Sequence, residues 1–95
     1  MIAKKWGFTR EDLDTFGLES HRRAMAASSS GAFEAEIVPI AITLPDGTTD
    51  LHVKDEGIRW DVSAQGMSSV KSIVEGGLIT AATSSQITDG AAAVV

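Results

Sequence analysis

Two histidines, a scatter of carboxylates, a serine-rich loop and a few isolated cations are the side chains of this sequence with reactive or ligand-binding chemistry. His21 and His52 could each move a proton or ligate a metal near neutral pH. They stand in different segments, at no spacing that joins them in one site, and the chain has no cysteine or tyrosine to assist either. Each reads as a surface or half-buried histidine. Glu11, Asp12, Asp14 and Glu19 crowd one segment, and Asp55 and Glu56 are adjacent. A paired-carboxylate hydrolase needs two carboxyl groups converging on one cleft. Neighbours on an extended chain point opposite ways, so these groups read as solvated charge. The Asp-rich calcium loop is absent. Ser84 and Ser85 lie in a polar loop between two apolar extended stretches. Their surroundings do not match the nucleophile elbow G-x-S-x-G. A hydrogen bond to a ligand amide or phosphate stays open to them. Arg59 and Lys71 flank a weak helix, and the Arg59 guanidinium offers a fork that suits phosphate or stacks on a purine. An isolated arginine also serves as an ordinary surface ion-pair partner.

These side chains must be positioned by short elements. Ile2 to Trp6 read as the end of a helix, stopped at Gly7. Thr9 can cap a second helix, with Asp12 as its reciprocal partner and Glu11 adding negative charge to the first turn. Leu13, Phe16, Ser20 and Ala24 keep a helical spacing, Arg22 and Arg23 follow toward the far end, and Ser28 to Gly31 close the segment. The expected helix is 9–28. The period then changes to two. Val38, Ile40, Ile42 and Leu44 alternate with their neighbours, Pro45-Asp46-Gly47 is a turn signal, and Thr48 to Val53 supply a partner strand. A hairpin over about 35–53 follows, with a free edge at Pro39. Residues 63–74 read as a short helix capped by Ser63 and ended by Gly76-Gly77. Leu78 to Ala82 look extended, and Ala91 to Val95 begin a terminal strand. The fold class is α/β, as an α+β fragment. The apolar ending suggests a piece of a longer protein, because such a strand needs a neighbour.

Composition narrows the classes. A chain of 95 residues forms one domain at most, with a small core. Without cysteine there is no disulfide framework, no cysteine-ligated zinc and no thiol nucleophile. Nothing calls for an oxidising compartment, and a cytoplasmic location is expected. Eight Lys and Arg against 13 Asp and Glu give a net charge of -5, which lacks the basic footprint of a nucleic-acid binder. The pairs Lys4-Lys5 and Arg22-Arg23 read as solvated helix faces. No apolar run reaches the ~20 residues of a membrane span. Neither nucleic acid nor membrane is an expected partner.

The individual residues stop short of a function, but their order does not. The blocks GFTREDLDTFGLESHRRA, GAFEAEIVPI, DEGIR and ITAATSSQITDGAAAVV follow one another along the chain. Together they resemble the thiolase family, the acetyl-CoA acetyltransferases and 3-ketoacyl-CoA thiolases. The last block, T-A-x-x-x-S-x-x-x-D-G-A-A-A, is the most specific of the four. The resemblance implies a fold of two α/β halves, with a loop domain inserted in the first half that covers coenzyme A. Residues 1–86 would be most of that loop domain, and residues 87–95 the first strand of the second half.

The resemblance also implies what the chain does and lacks. Family chemistry uses a nucleophilic cysteine, a histidine in a G-H-P motif and a second cysteine, and this sequence contains none of them. Acyltransferase activity is therefore not expected of the chain by itself, since a thiolate nucleophile has no substitute here. What the resemblance leaves is a grip on coenzyme A or acyl-CoA as a substrate ligand, with no permanently bound cofactor. Ser85 falls on the serine that hydrogen-bonds the pantetheine arm. Ala81 and Ala82 fall on the small residues lining that arm. Arg59 falls on the arginine of D-E-x-x-R against the adenine end, and Val70 on an apolar contact near the adenine. Thr83 and Ser84 depart from the more usual Asn-Ala, Gln86 from a common glycine, and Gly66 from the serine of some members. The expected partners are the rest of a thiolase chain or companion subunits, in a homo-oligomer. A non-catalytic relic, an assembly module joining subunits, and one part of a split thiolase stand as alternatives.

Overall fold

The computed structural model describes residues 1–95. Its elements in order are α1 (Ile2–Trp6), α2 (Arg10–Ser29), β1 (Ile40–Thr43), β2 (Thr49–His52), α3 (Ala64–Ser69) and a 3-10 turn over Ala81–Thr83. They divide between two compact units, one of Met1–Leu18 with Ser63–Val95 and one of Glu19–Val62.

The first unit opens with α1, which stops where expected. Gly7 adopts φ 70°, a left-handed conformation that suits glycine, and its N–H reaches the Ala3 carbonyl. Thr9 and Asp12 then form the anticipated reciprocal cap. The Thr9 N–H donates to Asp12 Oδ2 at 2.7 Å, and the Asp12 N–H donates to Thr9 Oγ1 at 3.2 Å. Both Thr9 groups hold the Asp12 carboxyl below the ordinary aspartate range, the backbone N–H contributing most.

The helix expected over 63–74 is shorter than its apolar spacing suggests. Ser63 caps it by accepting from the Gly66 N–H at 3.0 Å, and it ends at Ser69. Two competitors shorten it. The Ser68 and Ser69 hydroxyls donate to the carbonyls of Gln65 and Gly66, the local bonding that makes serine a poor helix interior residue. The Arg10 guanidinium takes up the end, its Nη2 donating to the carbonyls of Met67 at 2.9 Å and Val70 at 2.8 Å. Val70 turns extended, at φ −71° and ψ 131°. A cation at a helix C-terminus is favoured by the unsatisfied carbonyls there.

Beyond α3 the chain doubles back. Ser72 bridges to Thr80, and the Ile73 N–H donates to the Ile79 carbonyl at 2.9 Å. The extended run expected over 78–82 is cut at Thr80, which caps the 3-10 turn instead. Gly17 permits close packing on this turn. A Cβ there would lie 2.8 Å from Met67 Cε and 3.4 Å from the Ala82 carbonyl oxygen. Leu18 and Met67 are the buried apolar side chains, and Thr80 is fully buried. The terminal strand expected over 91–95 does not form: no strand pairs with it, and extended backbone without a ladder partner is not a sheet.

The second unit contains the later part of α2, with Arg23 paired to Glu19 at 2.8 Å on an exposed face. Gly31, at φ 77°, follows the helix end. The hairpin is narrower than the expected 35–53. Its antiparallel register is Ile40↔His52, Ala41↔Leu51, Ile42↔Asp50 and Thr43↔Thr49. Pro39 immediately precedes β1, where its missing N–H costs the ladder nothing. In the turn, Asp46 Oδ1 accepts from the Thr48 hydroxyl at 2.6 Å and the Thr48 N–H at 2.9 Å. Those two bonds, the hydroxyl's first, hold the Asp46 carboxyl below its ordinary range.

Candidate functional site

Four of the five residues singled out for ligand contact belong to the first unit, and the segment 80–85 shows how three of them are held. Thr80 lies at its base with no exposed surface. Its Oγ1 accepts from the Ala82 N–H at 3.1 Å, and Thr83 Oγ1 accepts from the Thr80 N–H at 3.1 Å. This is a capping box compressed into one turn. The Ser84 hydroxyl donates to the Thr80 carbonyl at 2.7 Å. The result fixes Ala81 on the exposed side and Ala82 half-buried, and delivers the chain to Ser85, which is exposed.

This arrangement separates two serines that their local sequence pattern, apart from the family resemblance, leaves equivalent. The Ser84 hydroxyl is engaged in holding the turn, while Ser85 is an exposed residue. A hydroxyl can donate one hydrogen bond and accept two, which suits an amide-rich ligand.

Val70, also in the first unit, is half-buried at the end of α3, and its carbonyl is held by Arg10. Arg10 is in turn oriented by Asp14, with Nε to Oδ2 at 2.8 Å. Asp14 is buried, and its Oδ1 has no hydrogen-bond partner. A groove of about 360 Å³ beside this pair is lined by residues that include Arg10, Asp14, Thr15, Leu18, Ala64 and Ser68, and by none of the five singled-out residues.

Arg59 belongs to the second unit and is exposed. Its backbone N–H donates to His21 Nδ1 at 3.1 Å. His21 therefore has a specific structural task, accepting through Nδ1, that its bland sequence context does not show. Nearby in sequence, Lys54 Nζ lies 5.9 Å from the Trp60 ring centroid, a cation–π distance. The unit's groove, of about 440 Å³, is bounded by Phe33, Ile37, Val38, Ile40, His52 and Val53, and Arg59 does not line it. No group of three or more His, Asp or Glu side chains is placed to hold a metal ion. No helix is long and apolar enough to cross a membrane.

Arg10 and Thr80 make internal contacts that the sequence does not advertise. Arg10 sits in an ordinary capped first turn, and its long-range partners are 57 and 60 residues away. Thr80 carries a weak local signal, the spacing Thr80-x-x-Thr83, which fits a capping box.

The comparisons with known proteins agree on one family. A family described as "Thiolase, N-terminal domain" matches residues 1–95. The mouse protein named "3-ketoacyl-CoA thiolase A, peroxisomal" is 40% identical over 99 residues, covering 99% of this chain and 23% of that protein. The structure of an acetyl-CoA acetyltransferase from Syntrophomonas wolfei superposes with a TM-score of 0.74 at 35% identity, covering 83% of this chain and 20% of that one. The dimeric peroxisomal thiolase of Saccharomyces cerevisiae gives a TM-score of 0.72 at 38% identity, covering 90% of this chain and 21% of that one. The chain thus spans about a quarter of the length of such relatives. With the family match along its whole length and an α+β arrangement shared with solved thiolases, the chain belongs to the thiolase family.

Proposed function

We propose that this chain supplies coenzyme A contacts to a thiolase, an acyltransferase of fatty-acid and related metabolism, and carries no acyl-transfer chemistry of its own. The observation that supports this most is the exposed Ser85, set at the end of a turn in which the Ser84 hydroxyl and the Ala82 N–H are engaged internally. In this reading Ser85 hydrogen-bonds the pantetheine arm of CoA or acyl-CoA, Ala81 and Ala82 lie along it, and Val70 touches the adenine end. Arg59, on the second unit, is by itself a further candidate for contact with CoA. These residues bind and orient the substrate's non-reacting handle, and binding energy from such a handle can be used to position the reacting thioester. The acyl group moves to and from the CoA thiol in a thiolase, and an activated thiolate is the usual nucleophile for such chemistry. The chain contains no cysteine, so its part is substrate binding.

In the same reading, residues 1–86 form the CoA-covering loop domain and 87–95 open the following half. The partners are the rest of a thiolase fold and further copies in a homo-oligomer, in the cytoplasm. A second reading, an assembly module, draws on the exposed Val38, Ile40, Leu51 and Val53 of the hairpin unit. A native intact mass identifies the species in which the chain works, and calorimetric titration of that species with CoA tests the reading. Saturable CoA binding that weakens with Ser85→Ala supports it. A native oligomer that takes no CoA selects the assembly module instead.

A further inference from the structure

Thr80 is the most buried side chain of the molecule, yet it is polar and lies one residue before the stretch assigned to the pantetheine arm. Its three polar atoms each have a local duty. Oγ1 accepts from the Ala82 N–H at 3.1 Å, the N–H donates to Thr83 Oγ1 at 3.1 Å, and the carbonyl accepts from Ser84 Oγ at 2.7 Å and from the Thr83 N–H at 3.1 Å. The bridge to Ser72 anchors the same residue to the preceding strand-like segment. A tetrapeptide of Ala, Ala, Thr and Ser has no stiffness of its own, and without these bonds Ser85 would sample many orientations.

We propose that Thr80 is a positioning residue for the pantetheine contacts, acting through Ser84 and the 3-10 turn to hold Ser85, Ala81 and Ala82 in their ligand-ready arrangement. The inference rests on the coenzyme A reading above. It adds that affinity for one end of the ligand depends on a buried hydroxyl that never touches it. Valine is the near-isosteric replacement without the hydroxyl, and serine the one that keeps it.

The test is calorimetry on the native species with three ligands: CoA, pantetheine, and adenosine 3′,5′-bisphosphate. Thr80→Val is expected to weaken CoA and pantetheine by roughly three- to tenfold, the scale of one lost net hydrogen bond. The adenosine bisphosphate should bind as before, and Thr80→Ser should restore wild-type values. Should Thr80→Val fail to fold, Ser84→Ala, at an exposed position, is expected to give the same split in milder form. Equal weakening of all three ligands would reduce Thr80 to a general structural role and overturn the inference alone. So would unchanged pantetheine affinity in both Thr80→Val and Ser84→Ala. Absence of CoA binding by the wild-type species overturns the coenzyme A reading, and the inference with it.

Discussion

Asp12 and Asp46 illustrate how single residues couple this fold to pH. Each carboxylate accepts from a threonine N–H and hydroxyl, Thr9 for one and Thr48 for the other, and each is held below its ordinary range. A carboxyl group more acidic in the folded chain binds fewer protons there than in the unfolded chain. Stability from both contacts is therefore fully present above the ordinary aspartate pKa of about 4 and is lost as pH falls through the lowered folded value. Far-UV circular dichroism from pH 6 to pH 2 should show loss of helical signal in that acid window. Asp12→Asn should flatten part of the pH dependence, and a variant curve identical to wild type would remove Asp12 from the account. At the same scale, Ser85→Ala in the native thiolase species should raise KM by roughly three- to tenfold while kcat changes little. A collapse of kcat at constant KM would show that Ser85 acts on the reacting centre. His52 remains an exposed strand residue, as its context suggested.

At the scale of elements, α3 depends on a residue outside it. Six residues with two serines and a glycine make a weak helix, and the Arg10 guanidinium supplies what its last turn lacks. Arg10→Ala would release the Met67 and Val70 carbonyls and leave the buried Asp14 carboxylate without its cation. The expected cost is about 2–3 kcal/mol in urea denaturation, for charged hydrogen bonds lost around a mostly buried group. The double variant Arg10→Ala with Asp14→Ala should be less destabilised than the sum of its singles, because the orphaned charge is gone. Strict additivity would show that the pair contributes no coupling. The helices α1 and α2 are legible in the sequence because their signals are local: Gly7 at one end, the Thr9 and Asp12 cap, and acidic residues in the first turn. The hairpin is legible in kind for a similar reason, its turn being specified by Asp46, Gly47 and Thr48 within five residues. Its length is less so, since alternation continues through Ile37 and Val38 beyond the paired residues.

For the molecule as a whole, little apolar surface is buried. Leu18 and Met67 are enclosed, whereas Phe16, Val38, Ile40, Leu51, Ile73 and Val74 are exposed. Apolar surface left in water favours association. The isolated 95-residue chain should therefore either self-associate in a concentration-dependent way or melt below about 60 °C, toward the upper end for mesophilic domains. Light scattering across a hundredfold concentration range, paired with thermal melts, checks this. A monomer with a cooperative, concentration-independent melt above that temperature would contradict it. The ordered blocks from GFTRED to TDGAAAVV were enough to place the chain among thiolases, because family-specific residues keep their order whatever the local conformation. The caps, the turn and the main elements were likewise determined locally, by residues within one or two turns of one another. Tertiary structure decided the rest. It shortened α3 through Arg10, left Ala91 to Val95 unpaired, buried Thr80, and engaged the Ser84 hydroxyl while leaving residue Ser85 exposed. Each of those outcomes turns on which backbone groups find partners and which side chains lose water. Partners such as Arg10 and Val70, 60 residues apart, meet only when the chain folds.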